Sequence, residues 1–189
     1  MATYIIIIIA KFFQKQTFIV MNNFDEQIKN LSSKNDIEVL DAIEKLRING
    51  NENAIPFLIE LLKNNKSEEV KNDVANLLFE LKNEKALPIL IKEFNKPENL
   101  EYQRLLVSAC WESGLDCTPY LFHFIELAIK SDYMVCLECL TVIENLKGPF
   151  NPEILDKTIS LMRIAADNNE DGKFELLHCI WEVLVDFKE

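Results

Sequence analysis

Glycine and proline are scarce in this chain, 4 and 6 of its 189 residues. A meander of short strands needs turn residues at every reversal, so this scarcity argues against a β fold and for helices joined by short connections. Basic residues are also in deficit. Twenty Lys and Arg stand against 31 Asp and Glu, a formal net charge of −11. Phosphate backbones are bound by Lys and Arg that displace counterions, and anionic membranes ask for the same side chains. The expectation is therefore no nucleic acid and no membrane, but a partner with a basic surface. No stretch of the sequence reads as a convincing secretion signal. Its five cysteines, an odd number, are expected to be reduced thiols of a cytoplasmic protein, all buried as small apolar groups.

What is present is apolar residues at 49% and charged residues at 27%, enough for an ordinary core. The run Tyr4 to Ala10 carries five consecutive isoleucines and stops at Lys11. At seven residues it is far short of the roughly 20 that span a bilayer. Met21 opens Met-Asn-Asn-Phe-Asp-Glu, which resembles a natural start before a first helix. Residues 1–20 thus read as an N-terminal extension, disordered or a misassigned start, and 21–189 as one domain.

A repeat organises that domain. Pro56, Pro88, Pro119 and Pro152 lie 32, 31 and 33 residues apart. Each is followed by similar residues at +2, +3 and +6: Leu58, Ile59, Leu62; Leu90, Ile91, Phe94; Leu121, Phe122, Ile125; Ile154, Leu155, Thr158. Proline is tolerated in the first helical turn, where its missing N–H has no partner to lose. These segments are predicted first helices of four hairpins, with those positions along one side. The second helices superimpose as well. Val70, Val74, Leu77, Leu78 and Leu81 become Val135, Cys139, Val142, Ile143 and Leu146 on a shift of 65. A shift of 32 gives Tyr102, Leu106, Ala109, Cys110 and Ser113, and a shift back of 35 gives Asn35, Val39, Ala42, Ile43 and Leu46. Lys173 to Lys188 fits less well and reads as a terminal helix. Ser67 and Asp36 are predicted N-caps. Gly50, Gly114 and Gly148 are predicted to end second helices in the left-handed conformation.

The stretch Ser67 to Ile91 carries Val70-Lys71, Ala75 to Leu78, and Ala86-Leu87-Pro88-Ile89-Leu90-Ile91. In these it resembles a HEAT repeat, whose pattern has Val-Arg, then Ala-x-x-Leu, then Ala-Val-Pro-x-Leu-Ile. The similarity covers about Ile37 to Leu146. Lys71 stands where arginine is usual, and Tyr102-Gln103 replaces the Val-Arg pair. The resemblance implies an all-α, right-handed α-solenoid of about four to five HEAT-like hairpins. It also implies a non-enzymatic scaffold or adaptor that holds partners along the concave face of the second helices.

On that face the register places Asn76, Phe79 and Glu80, then Arg104, Ser108, Trp111 and Glu112, then Thr141 and Glu144. These are the candidate partner-binding residues. Asp41, Glu44, Glu80, Glu112 and Glu144 give the ribbon an acidic cast. Phe79 and Trp111 occupy equivalent positions. They either anchor a basic or partly apolar segment of another protein or fill the joint between repeats. No cofactor, metal or catalytic residue is expected. Cys136-Leu-Glu-Cys139 has the spacing of a redox or zinc motif, but it falls inside a helix and lacks a second ligand pair. His123 and His178, the only histidines, sit in predicted helices; either could pair with a cysteine as base and nucleophile, but nothing local recommends it. Because some proteins resembling this one are enzymes, the alternatives are a bilin lyase, with a cleft near Tyr120, His123 and Trp111, or a nucleic-acid-binding repeat protein.

Overall fold

The computed structural model describes residues 23–168 and 172–188. The expectations for residues 1–20 lie outside that range. Among the described residues every regular element is helical, ten α-helices joined by short turns. They fall into two compact units, residues 1–77 and 78–189, with the division inside one helix.

The first unit contains α1 (residues 23–30), α2 (Asp36–Asn49), α3 (Ile55–Asn64) and most of α4 (Glu68–Phe79). Its repeat-predicted positions are buried: Val39, Ala42, Ile43 and Leu46 on α2, Leu58, Ile59 and Leu62 on α3, and Val70, Val74 and Leu77 on α4. Asp36 does not cap α2. Asn35 does, its side chain accepting from the Ile37 N–H at 3.1 Å, so Asp36 becomes the first helical residue and meets the positive end of the dipole. Ser67 accepts from the Val70 N–H at 3.4 Å, as its predicted cap role requires. Gly50 departs from expectation. Its backbone is extended (φ −74°), and what it supplies is space, because a Cβ there would lie 2.3 Å from the Leu46 carbonyl oxygen.

The second unit contains α5 (Ala86–Phe94), α6 (Gln103–Glu112), α7 (Leu121–Lys130), α8 (Tyr133–Glu144), α9 (Pro152–Asp167) and α10 (Phe174–Asp186). Pairs α5/α6, α7/α8 and α9/α10 pack as hairpins. Second helices also pack in series, α6 on α8 and α8 on α10, and α7 packs on α9. Phe94 of α5 and Phe124 of α7, both fully buried, meet with ring centroids 5.9 Å apart. Each such side chain contributes roughly 1.5–3 kcal/mol on burial. This is the stacking of a helical-repeat solenoid, in which each hairpin buries one face on the next.

The first-helix spacing slips in two places. Phe122 is only half-buried, covered by the Lys157 ammonium 4.4 Å from its ring, and Phe124 takes the core position. Ile154 is 42% exposed. The register itself holds, since Leu121 and Ile125 after Pro119 and Leu155 and Thr158 after Pro152 are buried. Pro56 is the second residue of α3, Pro119 lies in a 3-10 turn before α7, and Pro152 opens α9. Gly114 and Gly148 do take positive φ, +68° and +66°. Cys179 is exposed, against the expectation that all five thiols are buried. It falls outside the stripe of Leu176, Leu177, Ile180 and Leu184 that α10 buries.

Buried polar groups tie the turns of this unit. Lys173 is 3% exposed, and its ammonium donates to the carbonyls of Ala128 (3.2 Å), Ile129 (2.9 Å) and Ser131. These lie at the end of α7, where carbonyls lack helical partners and a cation meets the negative end of the dipole. Gln103, one of the departures from the HEAT pattern, donates to the Phe94 carbonyl at 2.8 Å and accepts from the Ser131 hydroxyl at 3.2 Å.

Candidate recognition face

In the first unit the outward side of α2 and α4 is not simply acidic. Lys45 pairs with Asp41 at 2.6 Å, and Arg47 pairs with Glu44 at 3.0 Å and Asp73 at 2.7 Å. Two carboxylates assigned to the acidic ribbon are thus matched by cations. Asn76 is exposed and lines a shallow polar groove with Leu40, Glu69, Asn72 and Asp73.

At the end of α4, Phe79 is half-buried and Glu80 exposed. On α6, Arg104, Ser108 and Trp111 follow one another at i, i+4 and i+7, which brings them to one side of the helix. They converge on Glu138 of α8, which is only 7% exposed. Arg104 Nε donates to Glu138 Oε1 at 3.0 Å, and Trp111 Nε1 donates to Oε2 at 3.0 Å. The Ser108 hydroxyl lies beside the same carboxylate and also donates to the Arg104 carbonyl at 3.0 Å. Burial pushes the Glu138 pKa up, but the indole, guanidinium and hydroxyl donors together hold it below the usual 4.5. The carboxylate is therefore charged at neutral pH, with hydrogen bonds to the charged form outweighing desolvation.

This network fixes Trp111 by its polar edge while leaving the residue half-buried. Glu112 and Glu144 are exposed at the ends of α6 and α8. Thr141 is half-buried, its hydroxyl bonded to the Leu137 carbonyl of its own helix at 3.2 Å. The structure thus brings Arg104, Ser108 and Trp111 together and leaves Glu112, Thr141 and Glu144 outside that cluster. Glu138 is the residue that sequence reasoning missed. A signal existed: under the shift of 65, Glu138 stands where Asp73 stands, and each acid binds an arginine of the preceding second helix.

Beside Trp111 lies a cleft of about 100 Å³. Neither Tyr120 nor His123 lines it. Its volume is also below the roughly 300–1,000 Å³ of small-molecule pockets. Cys110, Cys117, Cys136 and Cys139 are buried. Burial pushes the Cys136 thiol up to about 11 and raises Cys139 well above its ordinary value. Such thiols are protonated and poor nucleophiles at neutral pH. Among the described residues, no three His, Cys, Asp or Glu side chains gather as metal ligands, and no helix is long and apolar enough to cross a membrane.

No family model and no curated protein matches the chain. Among solved structures, a designed armadillo repeat protein aligns over 89% of this chain and 85% of its own, at 16% identity and a TM-score of 0.39.

Proposed function

We propose that this protein is a non-enzymatic scaffold or adaptor of the cytoplasm, built from HEAT-like hairpins. It binds another protein through the outward side of its second helices, by a basic and partly apolar segment of that partner. The reading excludes nucleic acid and membrane as partners on the strength of the −11 net charge. The observation that carries it is the locked Trp111. A large aromatic residue hydrogen-bonded to a buried carboxylate, yet half-buried itself, is held ready for contact before any partner arrives. Ordering costs paid in advance of binding raise affinity, and tryptophan is among the commonest residues at binding hot spots. The exposed carboxylates of Glu112 and Glu144 supply the charge that a basic segment requires.

The test is charge reversal. Glu112→Lys and Glu144→Lys change two exposed side chains and leave the core untouched, so helicity and melting temperature are expected to stay within experimental error. Capture of partners from native cytosol, identified by mass spectrometry, is expected to lose specific proteins with basic segments. An identical set of captured proteins from both versions would remove the proposal.

A further inference from the structure

The second helices α6, α8 and α10 pack in series, so each has a backward and a forward edge. On α8 the backward edge is marked by Glu138, which bonds Arg104 and Trp111 of α6. Cys136, Leu140 and Ile143, at i, i+4 and i+7, lie on the other edge of its buried arc, towards α10, and all three are buried. The same positions on α6, 33 residues earlier, hold Gln103, Val107 and Cys110, also buried. A shift of 38 carries α8 onto α10. Val135, Glu138, Cys139, Val142 and Leu146 become Lys173, Leu176, Leu177, Ile180 and Leu184, and every one of these is buried in both helices.

The forward edge breaks that match. On α10 it consists of Phe174, His178 and Trp181. Phe174 is 50% exposed, and His178 and Trp181 are half-buried. Neighbouring rings of this stripe lie 5.9 and 5.4 Å apart between centroids. Among the described residues no helix follows α10 to cover them. An end helix that stays in water turns a polar face outward, whereas this one turns three aromatic rings. The rim of the edge is acidic. The two shifts together carry Arg104 and Trp111, which reach forward to Glu138, onto Glu175 and Glu182, both exposed. Where α6 presents donors to an acid of the next helix, α10 presents acids.

We propose that the forward edge of α10 is a docking site for one α-helix of another protein, an amphipathic helix whose aliphatic stripe is flanked by lysine or arginine. That helix takes the place that α8 takes on α6 and α10 takes on α8. Its stripe covers Phe174, His178 and Trp181, and its cations meet Glu175 and Glu182. A second copy of this chain is the poorer occupant, because it brings a net charge of −11 and the same acidic rim. This edge is distinct from the outward side of α6 and α8, and the proposal does not rest on the reading of Trp111.

The probe is a capped synthetic peptide of about 18 residues, long enough to be helical in isolation, with a leucine stripe at i, i+4, i+7 and i+11 flanked by lysine. A twin has the same stripe flanked by glutamate. Binding of each to the full chain is followed by fluorescence anisotropy and located by backbone amide shifts. The lysine peptide is expected to bind about tenfold more tightly than its twin, as two opposite-charge contacts against two like-charge ones require, with shifts centred on residues 174–185. Phe174→Asp is expected to weaken it about tenfold. Glu175→Lys with Glu182→Lys is expected to cut the preference for lysine at least about threefold. Both side chains are exposed, so this pair stays informative if Phe174→Asp unfolds α10. Glu98→Lys with Glu101→Lys, the same charge change at exposed positions two hairpins earlier, is expected to leave the preference within about twofold. Shifts centred on α6 and α8, equal binding of the two peptides, or equal effects of the two charge reversals overturns the proposal. So does concentration-dependent dimerisation of the free chain that Phe174→Asp abolishes, because a second copy then covers the edge. The scaffold reading falls on a different result, capture that survives Glu112→Lys with Glu144→Lys.

Discussion

The two units use one device in two environments. Asp73 on α4 and Glu138 on α8, 65 residues apart, each accept from an arginine of the preceding second helix, Arg47 at 2.7 Å and Arg104 at 3.0 Å. The Asp73 side chain keeps 29% of its exposure, and that of Glu138 keeps 10%. Water still screens the first pair, which makes it worth little. The second has the drier acid, although its arginine is 55% exposed against 21% for Arg47, and its carboxylate also holds the Trp111 indole. One repeat position thus gives a surface ion pair in one unit and a buried anchor for an aromatic in the other. What an acid at a repeat position holds depends on what the neighbouring helix brings to it.

The comparison can be pressed hardest through burial. Lys173→Met removes the ammonium from three carbonyls at the end of α7. We expect a loss of about 3 kcal/mol in urea unfolding, since buried acceptors are left without partners. Next, Glu138→Gln is expected to lower stability by roughly 1–3 kcal/mol, and Asp73→Asn by less than about 1 kcal/mol. Equal losses for these two would erase the distinction between the units. The same asymmetry predicts a pH effect. The folded-state pKa of Glu138 is lowered from 4.5, so its contribution is complete above the unfolded value and fades as pH falls through the folded one. The stability gap between wild type and Glu138→Gln should narrow on acidification from pH 7 to below about 4, measured by chemical denaturation. Trp111→Phe keeps a ring but loses the N–H. A loss of about 1 kcal/mol is expected.

Much of the helical core was legible because burial follows period. Val70, Val74, Leu77 and Leu78 and their counterparts Val135, Cys139, Val142 and Ile143 are all buried, as the repeat register required. Misreadings arose where local chemistry decides between close options. Asn35 caps α2 in place of Asp36, and Phe122 and Ile154 fall at the edge of the buried stripe rather than within it. The candidate face was legible in part. Trp111 and Arg104 were found from register alone. Glu138 was not, because a carboxylate in the middle of an apolar helix gives no sign of burial until its three donors are placed around it. The ribbon's acidity was overread in the first unit, where Asp41–Lys45 and Glu44–Arg47 stand at i, i+4 and i, i+3, the spacings at which opposite charges pair along a helix.

Hydrogen–deuterium exchange of the full chain, free and with a captured partner bound, tests the proposed face most directly. Slowed exchange is expected in residues 104–115 and 141–147, with the first helices α7 and α9 unchanged. Protection confined to α7 and α9, with α6 and α8 exchanging as in the free protein, would contradict the account.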